Sequence, residues 1–176
     1  MDSAFVEPEE ICPESIFQSA LARALEQIVG ASPCVMTQSF GLDIALFLGT
    51  ASGTCVRFLE IKSFGGQRMG GVGFGNGRGE GPQVDLLLNN ERQIALLDSC
   101  VRWVFALKCD NKLRPLPRGA ARYAILSCNE AKAAAMGTVA RGKQNNFRIS
   151  ALSDRLIRWD PLVNELRTFV LSAGAI

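Results

Sequence analysis

Asp43, Glu60 and Lys62, in the stretch DIALFLGTASGTCVRFLEIK, are of the types that can do chemistry with a hard cation. Asp43 opens one apolar run, and Glu60 and Lys62 close the next. Between the runs stands TASG, Thr50 to Gly53, a turn-forming sequence. A turn there folds the runs into a hairpin with Asp43 opposite Glu60. Directly opposed side chains in an antiparallel pair have Cβ atoms roughly 4.5–5.5 Å apart, and two-residue alternation puts Lys62 on the same face. Two carboxylates so placed repel unless a cation separates them. A divalent ion with oxygen ligands suits that gap, and the Lys62 ammonium adds positive charge. Ala45, Phe47, Val56 and Phe58 make up the rest of the face, so the trio is expected at the edge of an apolar surface, where charges are costly without partners.

An acid two residues before a lysine is common in this chain. Three of the five lysines have one: Glu60-Lys62, Asp110-Lys112 and Glu130-Lys132. Only the first ends an apolar run and pairs with an upstream acid. Asp110 falls in a Pro/Gly-rich loop, and Glu130 in an alanine-rich helix where residues two apart diverge. The plain structural alternative for the first is a cross-strand ion pair capping a hairpin.

Positioning the trio requires a domain with a core. The 176 residues, 48% hydrophobic, suit one globular domain. The longest apolar runs, IALFLG and VDLLL, fall short of the roughly 18 residues of a membrane span, and no leader is evident. A soluble, unexported, cytoplasmic protein is expected. The six cysteines form no C-x-x-C pair and read as small buried apolar side chains. The absence of histidine excludes Ser-His-Asp and Cys-His catalysis and histidine-ligated metals.

Charge divides along the chain. Residues 1–100 hold 6 Lys+Arg against 12 Asp+Glu, whereas residues 101–158 hold 12 against 3. The basic segment is interleaved with Trp103, Tyr123 and Phe147 and followed by Trp159, a composition expected of a surface that neutralises phosphates. An ordinary solvated face is the alternative.

Periodicity predicts a helix over Glu14 to Gly30, with Phe17, Leu21, Leu25 and Ile28 on one stripe. Three extended runs follow: CVMTQSF from Cys34, DIALFLG from Asp43 and CVRFLEIK from Cys55. Val84, Leu87, Leu88, Ile94, Leu97 and Val101 suit a helix or helix pair. VRWVFALKC from Val101 and RYAILSC from Arg122 read as buried strands. Residues 129–136 read as helix, 137–148 as a polar connection, and 152–171 as a closing helix interrupted near Pro161.

Between Lys62 and the second helix lies a stretch with 9 glycines among residues 65–81. It lacks the spacing of dinucleotide and P-loop motifs. Small residues there would let a nucleic-acid backbone approach while Arg68 and Arg78 meet phosphates, or the stretch is a surface excursion.

Asp43 at the head of the second extended run, and Glu60, Ile61 and Lys62 at the end of the third, resemble the motif of the PD-(D/E)XK nuclease superfamily. The resemblance in element order covers roughly residues 14–128, with 129–176 as a basic and helical extension of a single domain. It implies an α/β fold with a restriction-endonuclease-like αβββαβ core, a mixed central sheet flanked by helices. It also implies that Asp43, Glu60 and the Ile61 backbone carbonyl hold Mg²⁺, for which Mn²⁺ substitutes, and that Lys62 orients or deprotonates the attacking water. The family adds a carboxylate from the first helix. Glu14 and Glu26 compete for that place, and Glu14 is preferred because Phe17 and Leu21, three and seven residues on, point it toward the sheet. Leu42 stands where the family often has proline. Gln93 is followed by Leu97 rather than the tyrosine of RecB-like members; it either contacts a phosphate or is a plain surface glutamine.

These features lead to the expectation of a metal-dependent nuclease acting on DNA, without a membrane partner, and as a homodimer where both strands are cut. The alternatives are a non-catalytic nucleic-acid-binding protein that keeps the fold, and an assembly subunit whose basic face docks an acidic protein.

Overall fold

A computed structural model describes residues 6–11, 13–28, 31–35, 42–51, 53–64, 91–108, 116–117, 119–138, 145–147 and 152–172. Arg68, Arg78 and the glycine-rich stretch lie outside these residues, as does the side chain of Gln93. The order is α1 (Glu14–Glu26), β1 (Ala31–Val35), β2 (Ile44–Thr50), β3 (Gly53–Phe64), α2 (Glu91–Leu97), β4 (Val101–Leu107), β5 (Arg122–Leu126), α3 (Cys128–Ala134), β6 (Ala135–Thr138), β7 (Asn145–Phe147), a 3₁₀ turn (Ser153–Arg155) and α4 (Trp159–Leu171).

The fold is α/β. Five strands form one mixed sheet in the order β1-β2-β3-β4-β5. β1, β2 and β3 are an antiparallel meander, β4 runs parallel to β3, and β5 is antiparallel to β4. A parallel neighbour requires a long crossover, and residues 65–100, including α2, supply it. β4 is buried at every position but Arg102, as its apolar run Trp103–Leu107 requires of a strand covered on both faces.

Strand alternation sorts the core into two layers. Ile44, Leu46, Leu59, Ile61, Val104 and Ala106 meet Phe17, Leu21 and Leu25 of α1 and Leu162, Val163 and Leu166 of α4. On the other face Trp103, Phe105, Leu107 and Leu126 meet Cys128 and Ala131 of α3 and Leu152. Phe17, Tyr123 and Trp159 tie α1, β5 and α4 together, with ring centroids 5.4–6.4 Å apart.

The β2–β3 hairpin is tighter than a four-residue TASG loop. Thr50 pairs with Gly53, leaving two residues in the turn. Gly53 has φ of 136°, which side-chain-bearing residues avoid, and Thr50 Oγ1 donates to its carbonyl at 2.9 Å. The register is unchanged by this: Ile44 pairs with Leu59 and Phe47 with Val56.

Four expectations need correction. The first helix stops at Glu26 rather than Gly30. Residues 135–138 and 145–147 form a two-stranded sheet, not a polar connection alone. Pro161 does not interrupt the closing helix; it lies in the first turn of α4, behind an N-cap at Arg158, where no backbone N–H is needed. The break comes earlier, where Ile157 leaves helical geometry to form an antiparallel bridge with Tyr123. The cysteines are not uniformly buried either: Cys128 is, Cys55 and Cys100 are half-buried, and Cys34 is exposed.

No helix among the described residues is long and apolar enough to cross a membrane.

Candidate functional site

β2 ends one residue short of Asp43, while β3 continues to Phe64. The longer strand therefore presents N–H groups that β2 no longer reaches, and side chains take over. Asp43 Oδ2 accepts the Ile61 N–H at 2.6 Å. Two residues on, Glu14 Oε2 accepts the Ser63 N–H at 2.9 Å. Satisfying these donors draws two carboxylates to the end of β3.

Glu14 is the first residue of α1, whose Phe17–Leu21–Leu25 stripe docks on the sheet. One turn later Gln18 donates from Nε2 to Asp43 Oδ1 at 2.8 Å. The helix thus supplies both a carboxylate and the amide that holds another carboxylate. Glu26 is exposed at the far end of α1, about 18 Å away along the helix axis at roughly 1.5 Å per residue, so only Glu14 joins the cluster.

Glu60 is 4% exposed, and its carboxyl is within hydrogen-bonding reach of that of Asp43. Lys62 Nζ donates to Glu60 Oε1 at 2.5 Å and to the Ile61 carbonyl at 3.0 Å. Glu14, Asp43, Glu60 and Lys62 therefore form one cluster of three carboxyls about one ammonium, with Glu60 buried and the others half-buried. The groups that Lys62 holds, the Glu60 carboxyl and the Ile61 carbonyl, are two of the three that the family resemblance implies for the metal ion.

Burial raises the proton affinity of all three acids. For Glu60 it acts with the charges of Asp43 and Glu14 against the attraction of Lys62, and pushes the carboxyl up to about 8. Glu14 is raised by burial, relieved in part by Lys62 and the Ser63 N–H. Asp43 is raised by burial, with Lys62 and the Ile61 N–H opposing. Burial would lower Lys62, but Glu60, Glu14 and Asp43 together outweigh it and raise it. The ammonium is held charged, and each of the three acids holds a proton more tightly than a free carboxyl does.

The donor set is all oxygen and carries more negative than positive charge, which fits a hard divalent cation. As the side chains stand, no three acidic or cysteine groups among the described residues converge as ligands of one ion; the ammonium fills the gap.

The described aromatic residues of 101–158 and Trp159 are used differently from the expectation, and the basic residues divide. Trp103, Tyr123 and Trp159 are core residues rather than a stacking surface. Arg102 donates to the carbonyls of Asp98 and Val101, Arg122 to those of Ala120 and Ala121, and Lys108 to that of Glu9. Arg155 pairs with Glu130. These four cations have partners within the chain; Lys132 and Arg158 are exposed. Lys112, Arg114, Arg118, Arg141, Lys143 and Arg148 lie outside the described residues.

Sequence reasoning missed Gln18 and the Ser63 N–H. The signal for Gln18 was its position four residues after Glu14, the same face of α1 one turn on.

No protein-family model matches the chain, and no curated protein matches it.

Proposed function

We propose that the protein is a metal-dependent nuclease with a restriction-endonuclease-like core, hydrolysing phosphodiester bonds of nucleic acid, DNA in the first place. One observation carries this reading: a buried carboxyl, two half-buried carboxyls and a lysine, drawn from α1 and the β2–β3 hairpin, meet at the end of β3. Burial of so many charges is costly, and such strain is characteristic of chemistry. The order helix, antiparallel meander, helix, parallel strand supports the same core.

On this reading Asp43, Glu60 and the Ile61 carbonyl hold Mg²⁺ or Mn²⁺, with Glu14 as a further carboxylate. The ion would lower the pKa of bound water and offset charge on the phosphoryl group. Gln18 and the Ile61 N–H fix both oxygens of Asp43, so its carboxylate is oriented before any ligand arrives. Lys62, released from Glu60, is the group able to orient or deprotonate the attacking water and to face the phosphate.

A second reading, a nucleic-acid-binding protein that keeps this core without cutting, is favoured by the closed Lys62–Glu60 pair, which already neutralises one acid. Incubation with plasmid and single-stranded DNA in Mg²⁺, Mn²⁺ or EDTA separates the two. Nicking that needs the metal supports the nuclease. Binding with a steep salt dependence but no nicking supports the second reading.

A further inference from the structure

The segment before α1 crosses the same end of the sheet as the carboxylate cluster. Glu7 Oε1 accepts from the Tyr123 hydroxyl at 2.9 Å, near the start of β5. Two residues on, the Glu9 carbonyl accepts from Lys108 Nζ at 2.6 Å, where the chain leaves β4. Ile11 is fully buried in the core, and Glu14 follows on the Ser63 N–H at the end of β3. Leu107 pairs with Phe64 on one side and Arg122 on the other, so these contacts share one end of the sheet. The segment runs from β5 over β4 to β3.

Residues 6–11, VEPEEI, hold three acids and no base. Glu9 and Glu10 are exposed and Glu7 is half-buried, a stretch that repels a polyanion. Single hydrogen bonds from Tyr123 and Lys108 hold it down outside the core, so Glu7–Glu10 can lift while Ile11 and α1 stay docked. The Lys108 bond is open to exchange, because an ammonium binds a phosphate oxygen more strongly than a neutral carbonyl. Register sets Lys62 beside Phe105, and Lys108 stands three residues further on, about 10 Å along the strand. A nucleic-acid strand with one phosphate at the cluster covers that distance in about three nucleotides at roughly 3.4 Å each.

We propose that Glu7–Glu10 is an autoinhibitory strap. It masks Lys108, a phosphate contact for the strand that enters the carboxylate site, and must leave Lys108 before that strand binds. Strap and strand compete for one ammonium and repel each other, so the closed fraction lowers the apparent affinity. The inference rests on reading the cluster as a nucleic-acid site.

Anisotropy of fluorescein-labelled oligothymidylate with the full chain, in EDTA so that nothing is cut, tests it. Tyr123→Phe keeps the ring stacked on Phe17 and beside Trp159, changes no charge, and withdraws the hydroxyl from Glu7. It should tighten binding about three- to tenfold, the order of one lost hydrogen bond. In that background Lys108→Gln should weaken binding and flatten the slope of log K against log salt by about 0.7, one phosphate contact on a single strand. A second measurement needs no variant: in the wild-type chain, saturating oligothymidylate should speed cutting after Glu9 by a glutamyl endopeptidase several-fold, and this decides alone if Tyr123→Phe does not fold. Wild-type binding that Tyr123→Phe leaves unchanged or weakens, a salt slope indifferent to Lys108→Gln, or a cutting rate unmoved by the oligonucleotide overturns the strap and leaves the reading of the cluster standing. No binding by either chain removes the nucleic-acid reading and the strap with it.

Discussion

The Asp43 carboxylate stands in for a strand carbonyl opposite Ile61, accepting its N–H at 2.6 Å just beyond the last pairing of β2 with β3. The candidate site therefore grows out of a mismatch in strand length. β3 outruns β2, its backbone donors need acceptors, and Asp43 and Glu14 supply them. Function and fold share these residues, so substitutions must preserve acceptor atoms.

Asp43→Asn meets that condition. Its amide oxygen can still accept from Ile61, and one negative charge leaves the cluster. We expect stability within about 1 kcal/mol of wild type by urea denaturation, with metal-dependent cleavage reduced roughly 100-fold or more. Wild-type cleavage rates in this variant would remove Asp43 from the chemistry.

Glu60 sets a pH dependence whose sign follows from its raised proton affinity. Its ordinary value is 4.5 and its value in the fold about 8, so between these limits the native state binds more protons than the unfolded one. Stability in EDTA therefore falls as pH rises from 4.5 toward 8. Glu60→Gln should flatten that stretch of the profile, measured as urea midpoints at about pH 5 and about pH 8. A wild-type midpoint that rises with pH across the window contradicts the assignment.

Lys62→Met removes the one cation that the described residues place among the three carboxyls. Breaking a buried pair from one side costs about 3–5 kcal/mol, and the cost should be greatest above pH 8, where the acids are most ionised. Millimolar Mg²⁺ should restore part of the lost stability at high pH. A thermal midpoint unaffected by the substitution at high pH would show that the cluster is not electrostatically coupled.

Gly53→Ala tests the hairpin. A side chain at φ of 136° is strained, and we expect a loss of about 1–2 kcal/mol in chemical denaturation. Equal stability would mean that the turn adjusts without cost.

Much of this arrangement was legible in the sequence. The hairpin register followed from alternation and a single turn, so Asp43 could be set beside Glu60 although the turn proved two residues shorter. The α1 stripe pointed to Glu14 because helical spacing ties it to Phe17 and Leu21. Other features left no pattern to read. Gln18 is a polar helix residue whose partner is distant in sequence. β6 and β7 span four and three residues, too few for alternation to register. Pro161 misled because a proline in a first helical turn and one in a helix interior look alike in sequence. The count of basic residues left the use of each one open: charge is additive along a chain, but whether an arginine faces solvent or a carbonyl, as Arg102 and Arg122 do, is decided by tertiary structure.

The central claim is that the carboxylate cluster takes a divalent ion in place of the Lys62 ammonium. Anomalous scattering from a crystal soaked in Mn²⁺ tests it directly. The account predicts a peak within about 2.0–2.6 Å of oxygens from Asp43 and Glu60, with Lys62 Nζ displaced from the Ile61 carbonyl. Absence of a peak at saturating Mn²⁺, with Lys62 still bridging Glu60 and Ile61, would contradict it.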